Sequence, residues 1–301
     1  MSDSTDGLQV SRSRLHQHLQ VLAERPRPAG SAALEDCRAY VTREFEKSGW
    51  LVKRHPFTAR SAEGTVLDGV NLIAEHRQHR WGEQPRLCVG AHLDSCPETP
   101  GADDNASAVA TLLELARLLP EVWPGSTACS LELVAFDLEE NGMLGGAEHA
   151  ALCRRGAVDL RGMVSLEMLG YCDSRPQSQS LPESLVGLYP DTGDFIALVG
   201  NQASTDLIAA WHSGMVQVHG LSVQTLAVPG NGHELPATRL SDHSPFWDAG
   251  YSALMVTDTS FLRNPHYHLP SDTLETLDLA FLRDVSQGCL QAVQDILHSG
   301  C

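Results

Sequence analysis

Short apolar runs that alternate with amphipathic segments constrain the fold of this chain most strongly. Residues 86–91 and 130–136 are almost continuously apolar, with little of the alternation of a half-exposed strand. Such runs are typical of strands that are buried on both faces of a largely parallel sheet. Residues 106–119 carry leucines at mostly helical spacing between these two runs. The pattern predicts an α/β fold with a mostly parallel central sheet flanked by helices.

The rest of the chain continues this alternation. No linker long enough to divide the sequence separates its segments, so residues 1–301 are expected to form a single domain. The Ser-, Pro- and Gln-rich stretch 171–190 is expected to be an inserted loop near the functional site. Further helices are predicted near 11–23, 32–48 and 278–298, and further strands near 51–55, 69–75, 163–169, 195–200, 221–228 and 253–257.

Charge and composition exclude several functions. A formal net charge of −17 argues against binding to nucleic acids or anionic membranes, both of which require a basic surface. The sequence has no apolar run of about 18 residues, so no membrane-spanning helix is predicted. Its polar, acidic start lacks the features of a signal peptide. The eight cysteines are scattered without a CxxC pair, so free thiols and a cytoplasmic location are expected.

Residues able to bind metal follow the predicted strands, where ligands of open α/β sheets bind. His92 and Asp94 are two residues apart, so a strand places both side chains on one side. The Asp94 carboxylate could then accept the imidazole N–H and orient a metal-bound histidine. A strand-end histidine paired with an acid for solubility explains this fragment equally well.

Two further acidic segments have a similar character. Asp103 and Asp104 precede a predicted helix, where acids often only cap the helix. Glu139 and Glu140 directly follow an apolar strand, where unpaired carboxylates are costly to bury. One of these glutamates can bind a metal while the other remains free as a base. A solvated helix start is the simpler alternative for this pair.

The last candidates lie further along the chain. Glu167 occurs in an apolar segment without a basic neighbour, so a metal ion is a natural partner. His266 and His268 compete for a ligand role, and their spacing does not choose between them. Asp242 and His243 are predicted either to shape a pocket or to form a polar turn before Pro245.

Together these segments resemble the M28 family of dinuclear zinc peptidases, which includes bacterial leucyl aminopeptidases. The resemblance runs from about residue 70 to 278 and is looser over most of the remaining chain. Ser241-Asp242-His243 followed by Phe246 also resembles a family segment. The matching motifs stand in the family's order: His92-x-Asp94, Gly101-Ala102-Asp103-Asp104-Asn105-Ala106-Ser107, Glu139-Glu140 and Tyr267-His268.

The resemblance implies a three-layer zinc-exopeptidase fold, also described as phosphorylase/hydrolase-like, and two Zn²⁺ ions per chain, with Co²⁺ or Mn²⁺ as possible substitutes. Asp104 would bridge the two ions. His92 and Glu167 would complete one site, and Glu140 and His268 the other. Many family members have aspartate at the position of Glu167, which puts the shape or metal preference of that site in question.

The resemblance also implies the chemistry, which is hydrolysis of the amino-terminal bond of a peptide substrate. Glu139 would act as the general base toward a metal-activated water. Tyr267 would hydrogen-bond the developing oxyanion, and Asp94 would orient His92. Asp272, four residues after His268, would play a similar orienting part or cap a helix.

Three other functions remain open at this point. A glutaminyl-cyclase-like aminoacyl cyclase would share the fold but bind one zinc ion, which the five matching ligands argue against. A metallo-carboxypeptidase would need a cation for the substrate carboxylate, and Arg239 and Arg263 are candidates. A non-catalytic binding module would be expected to have lost ligands, and none is missing here.

Overall fold

The computed structural model describes residues 8–76, 85–121 and 127–299. One eight-stranded sheet runs through the molecule in the order β1-β2-β4-β3-β5-β8-β6-β7. The sheet is mixed, because β3, β4, β5 and β8 pair in parallel, as do β6 and β7, whereas the remaining contacts are antiparallel. The strands are β1 (Trp50–Arg60), β2 (Val66–His76), β3 (Arg86–His92), β4 (Ser130–Phe136), β5 (Leu160–Glu167), β6 (Phe195–Asn201), β7 (Ser222–Val228) and β8 (Ala253–Thr257).

Helices cover both faces of this sheet. Along β3, Leu87, Val89 and Ala91 join one buried apolar cluster, whereas Cys88 joins another. Alternate residues of a strand point to opposite faces, so the two clusters are the two sides of the sheet. The larger cluster includes residues of α1, α2, α3, α5 and α7, and the smaller one includes residues of α4 and α6. The helices are α1 (Arg12–Leu22), α2 (Ala32–Lys47), α3 (Ala108–Leu118), α4 (Leu144–Arg155), α5 (Thr205–Met215), α6 (His243–Asp248) and α7 (Leu279–Ser299).

The structure confirms the predicted α/β architecture of a central sheet between helices. Every predicted strand is present, and the strands predicted at 130–136 and 253–257 have the expected bounds. The sequence patterns missed α4, α5 and α6. Across the described ranges, no helix combines the length and apolar character needed to cross a bilayer. Cys37, Cys88, Cys96, Cys153, Cys172 and Cys289 carry free thiols.

Candidate metal centre

The carboxyl ends of three neighbouring strands meet at one edge of the sheet. His92 is the last residue of β3, and Glu167 is the last residue of β5. Glu139 and Glu140 follow the end of β4 at Phe136 by only three and four residues. Because β3 pairs in parallel with both β4 and β5, all four side chains reach the same edge.

Asp104 reaches this edge from a tight, buried turn at Ala102–Ser107, just before α3. Asp272 holds that turn, because its two carboxylate oxygens accept the main-chain N–H groups of Asp103 and Asp104 at 2.9 and 3.1 Å. His268 arrives from the loop between β8 and α7. Its backbone lies in the left-handed region, with φ of 57°. Long-range contacts, rather than local sequence, therefore place these two side chains.

Asp104 lies between two groups of side chains. Its Oδ1 is 3.2 Å from His92 Nε2, which is 3.6 Å from Glu167 Oε1. Its Oδ2 is 3.2 Å from His268 Nε2, which is 3.1 Å from Glu140 Oε2. We call His92, Asp104 Oδ1 and Glu167 the first half-site, and Asp104 Oδ2, Glu140 and His268 the second half-site. The two oxygens of one carboxylate thus face two separate sets of ligand atoms.

The hydrogen bonding of His92 leaves one ring nitrogen available. Its Nδ1–H donates to the main-chain carbonyl of Asp94 at 3.1 Å, while the Asp94 carboxylate Oδ1 lies 3.5 Å away. With this hydrogen bond, a neutral ring would direct the lone pair of Nε2 toward Asp104 and Glu167. His92 Nε2 is buried and has no hydrogen-bond partner among the described residues. A buried nitrogen that faces two carboxylate oxygens in this way fits a bound cation.

The charge balance of the site also fits cations. Burial raises the pKa of Glu139 well above its ordinary value, and it raises the pKa of Glu140 and Glu167 as well. Burial alone would also raise the pKa of Asp104, but the nearby imidazoles of His268 and His92 outweigh burial and lower that pKa. Within the described chain, no lysine or arginine forms an ion pair with any of these four carboxylates. Carboxylates and imidazoles that have no arginine or lysine partner are a set of ligands that suits zinc.

Glu139 occupies a position different from that of its neighbour. Its Oε2 is 3.9 Å from His92 Nε2, and the residue lines an open cavity. The Asp94 carboxylate accepts the main-chain N–H groups of Glu139 and Glu140, each at 3.1 Å. Asp94 therefore contacts His92 through its carbonyl and uses its carboxylate to position the two glutamates, rather than binding the imidazole with the carboxylate alone.

Tyr267 packs against the second half-site. Its ring stacks on His268 with centroids 3.7 Å apart and lines the same cavity. Burial and the negative charge of nearby carboxylates raise the pKa of its phenol, so the hydroxyl stays protonated and can donate a hydrogen bond.

Several other sequence candidates lie elsewhere. Asp103 accepts hydrogen bonds from the Gly170 N–H and the Asn264 amide, so it fastens the turn instead of facing the half-sites. His266 bonds to the Ser271 hydroxyl. Asp272 holds the main chain of Asp104 and does not contact the His268 ring. His243 is buried, and its Nε2–H donates to the Thr238 carbonyl at 2.8 Å, so it is part of the core.

A cavity of about 280 Å³ opens beside the carboxylates. Much of its wall is apolar, and the predicted insertion at 171–190 contributes to it. Among the residues that the structure describes, no lysine or arginine lines this cavity. The apolar wall includes Leu181, Leu185, Phe195, Val199, Leu226, Leu235, Met255 and Phe261.

Two site residues were not predicted from the sequence. The Ser241 hydroxyl donates to Glu167 Oε2 at 2.7 Å and fixes this longer side chain in the first half-site. The Cys96 thiol donates to Glu140 Oε2 at 3.0 Å in the second half-site. The only sequence signal for Cys96 is its place two residues after Asp94, and Ser241 has only its place in the Ser241-Asp242-His243 segment.

Sequence comparison identifies related proteins. The profile of peptidase family M28 matches residues 71–293. The uncharacterized protein YfbL of Escherichia coli K12 is 38% identical over 298 residues, which cover 93% of this chain and 87% of that protein. Leucine aminopeptidase 1 of Ajellomyces dermatitidis is 24% identical over 256 residues, covering 78% of this chain. The match spans only 60% of that fungal protein's length.

Solved structures share the fold. A zinc aminopeptidase from Bacillus subtilis superposes with a TM-score of 0.77 at 16% identity, covering 98% of this chain and 97% of that one. Porphyromonas gingivalis glutaminyl cyclase superposes with a TM-score of 0.70 at 19% identity, covering 94% and 97% of the two chains. At these identities the comparison establishes the architecture alone.

Proposed function

Because the chain belongs to peptidase family M28, we propose that it is a dinuclear zinc aminopeptidase. One observation carries the dinuclear assignment: the two oxygens of Asp104 face His92 Nε2 and His268 Nε2 at 3.2 Å each. This geometry is the one expected of a carboxylate that bridges two ions. In this proposal His92 and Glu167 hold one Zn²⁺, and Glu140 and His268 hold the other.

Bound zinc would polarise the scissile carbonyl and lower the pKa of water from about 15.7 toward about 7. Glu139 lines the cavity beside the first half-site, where its carboxylate takes a proton from water and delivers it to the leaving amine. Burial raises the pKa of Glu139 above its ordinary value, which suits a group that accepts a proton and later releases it. The protonated hydroxyl of Tyr267 donates a hydrogen bond to the developing oxyanion.

The charges around the cavity support recognition of a free amine. In the described part of the chain, four carboxylates and neither lysine nor arginine line the cavity. The arginines that would grip a substrate carboxylate are occupied elsewhere. Arg239 donates to Asp248 at 2.7 Å and to the Asn231 carbonyl, and Arg263 donates to the Phe195 carbonyl at 2.7 Å. The engagement of both candidate arginines argues against the metallo-carboxypeptidase alternative.

Matched peptides and metal analysis test this proposal. We expect two metal equivalents per chain after reconstitution with zinc, with activity abolished by chelators and restored by zinc or cobalt. Acetylation of the peptide amino terminus should abolish cleavage, whereas amidation of the carboxyl terminus should leave it nearly intact. The reverse pattern would contradict the proposal and indicate a carboxypeptidase.

Because the chain shares its fold with a glutaminyl cyclase, one further substrate is needed to separate hydrolysis from cyclisation. A peptide beginning with glutamine should release that glutamine by hydrolysis. Formation of pyroglutamate by a chain that saturates with one zinc ion would instead make the protein a cyclase.

A further inference from the structure

Cys96 lies at the second half-site together with the ligands already described. Its Sγ is 3.0 Å from Glu140 Oε2, which is 3.1 Å from His268 Nε2. One ligand atom from each of these three residues lies within 4.8 Å of the others. Asp104 Oδ2, at 3.2 Å from His268 Nε2, adds a fourth donor.

These separations suit a tetrahedral zinc site. With bonds of about 2.0–2.2 Å to nitrogen and oxygen and about 2.3 Å to sulfur, neighbouring ligand atoms lie roughly 3.3–3.6 Å apart. The observed spacings of 3.0 to 3.2 Å are close to this range, so small side-chain movements would complete the geometry.

We propose that Cys96 is a thiolate ligand of the metal ion in the second half-site. This inference rests on the proposed dinuclear function. As the metal–sulfur bond forms, the thiol S–H bond breaks and its proton passes to solvent. The second half-site then has four protein ligands, whereas the first has three and keeps a position open to substrate. Glu139 lies next to the more open first half-site.

The loop that carries Cys96 is held rigidly in place. Arg27 is buried, and its guanidinium donates to the carbonyls of Leu93, Pro100 and Gly101 at 2.9, 2.6 and 3.1 Å. The N–H of Thr99 donates to the Cys96 carbonyl at 3.2 Å and closes the turn. A loop fixed at both ends presents the sulfur in one place, as a preformed ligand requires.

A simpler role is open to the same residue. The main-chain N–H and the thiol of Cys96 donate to the two oxygens of Glu140, both at 3.0 Å. Cys96 would then only orient that carboxylate. The two roles differ in a measurable way, because only a metal-bound thiolate gives a sulfur-to-metal charge-transfer absorption.

Titration of the metal-free full-length chain with Co²⁺ separates these roles. We expect the wild-type chain to bind two equivalents and to develop a sulfur-to-cobalt band in the near ultraviolet. Cys96→Ser keeps a hydroxyl donor but should lose the band and bind one cobalt at least about tenfold more weakly. The half-buried thiol of Cys172 provides the matched control, and Cys172→Ser should keep both the band and the affinity.

Alkylation of the wild-type chain adds a readout that does not depend on the folding of a variant. Two equivalents of zinc should protect Cys96 from iodoacetamide and leave the labelling of Cys172 unchanged. Two bound cobalt ions without a charge-transfer band, or a band that persists in Cys96→Ser, would overturn the thiolate assignment and leave the aminopeptidase proposal intact. Failure to bind two ions would overturn both proposals.

Discussion

The chain buries two clusters of histidine and carboxylate side chains that differ in what balances their charge. Glu132 accepts from Arg86 Nη1 and contacts His149 Nε2, both at 2.8 Å. Burial alone would raise its pKa, but these partners, His149 first, outweigh burial and lower it. Around Asp104, three glutamates have raised pKa values and no arginine or lysine ion partner in the described structure. A group of buried carboxylates without an arginine or lysine partner in the described structure is the feature that points to metal ions.

The largest expected effect is a loss of catalytic rate when one carboxylate of the Asp104 cluster is neutralised. Glu139→Gln should reduce kcat by about 10²–10⁴-fold, because the nearly isosteric amide cannot transfer the proton. Metal analysis should still find the same number of ions as in the wild-type chain, since Glu139 is not assigned as a ligand. Glu46→Gln, on the exposed surface of α2, is the control and should leave kcat unchanged. Full activity in Glu139→Gln would show that another group is the base.

The second prediction compares the two clusters in the metal-free chain. Glu132→Gln should lower the free energy of unfolding by about 3 kcal/mol, because it breaks the buried contacts of the Glu132 carboxylate with Arg86 and His149. Glu167→Gln should lower it by less than about 1 kcal/mol, because it removes a buried carboxylate that has no cationic Arg or Lys partner. Urea unfolding in excess chelator measures both values. Equal losses of unfolding free energy in the two variants would contradict the contrast, because they would show that protein groups neutralise the carboxylates of both clusters to the same extent.

His243 extends the comparison to a buried histidine without an acid partner. Burial lowers its pKa from 6.5 to about 4, whereas carboxylates raise the pKa of His92 and His149 against the effect of burial. The imidazole of His243 therefore binds a proton more readily in the unfolded chain than in the folded one. The stability that comes from the neutral, buried imidazole is fully present above about pH 6.5 and is lost as the pH falls toward about 4.

Because of His243, we expect the free energy of unfolding to fall by about 2 kcal/mol when the pH is lowered from about 7 to about 5. His243→Gln retains a donor for the Thr238 carbonyl and should show a correspondingly smaller loss over the same interval. Chemical unfolding at the two pH values measures the difference. Parallel pH dependences in the two proteins would mean that His243 does not stay neutral in the folded state.

The smallest effect is expected at an exposed ion pair. Arg239 pairs with Asp248, whose side chain is 51% exposed, and such surface pairs contribute at most about 1 kcal/mol. Arg239→Gln should change kcat/KM for an aminopeptidase substrate by less than about twofold. A large rise in KM for substrates with a free carboxylate would instead indicate that Arg239 binds the substrate carboxylate.

Sequence patterns predicted the strands and the residues at their ends better than the helices. The runs at 130–136 and 253–257 are apolar and bounded by polar residues, so their limits were clear. By contrast, α4 begins with Leu144-Gly145-Gly146, and glycine is a poor helix former. Gly146 packs against Asp242 at a distance that leaves no room for a Cβ, so tertiary packing requires a glycine here despite its low helix propensity.

Tertiary contacts account for what the sequence could not indicate at the site. Leu138 and Met168, which adjoin Glu139 and Glu167, have φ of 58° and 49°, and no local sequence signal predicts a left-handed conformation for such side chains. The carboxylate of Asp272 binds the main chain of the Asp104 turn, 168 residues away. The convergence of Arg86, Glu132 and His149 likewise depends on the packing of β3, β4 and α4.

The cavity wall and the metal ligands come from different parts of the chain. Five of the six proposed ligands, with Cys96 included, lie between residues 92 and 167, whereas nearly the whole apolar wall lies between residues 179 and 262. Substitutions in the wall can therefore accumulate without disturbing the strand ends that carry the acids. For protein engineering, this makes the wall side chains between residues 179 and 262 the positions to vary, with Ser241 kept because its hydroxyl holds Glu167. New side-chain preferences could be selected there while the hydrolytic centre is inherited unchanged.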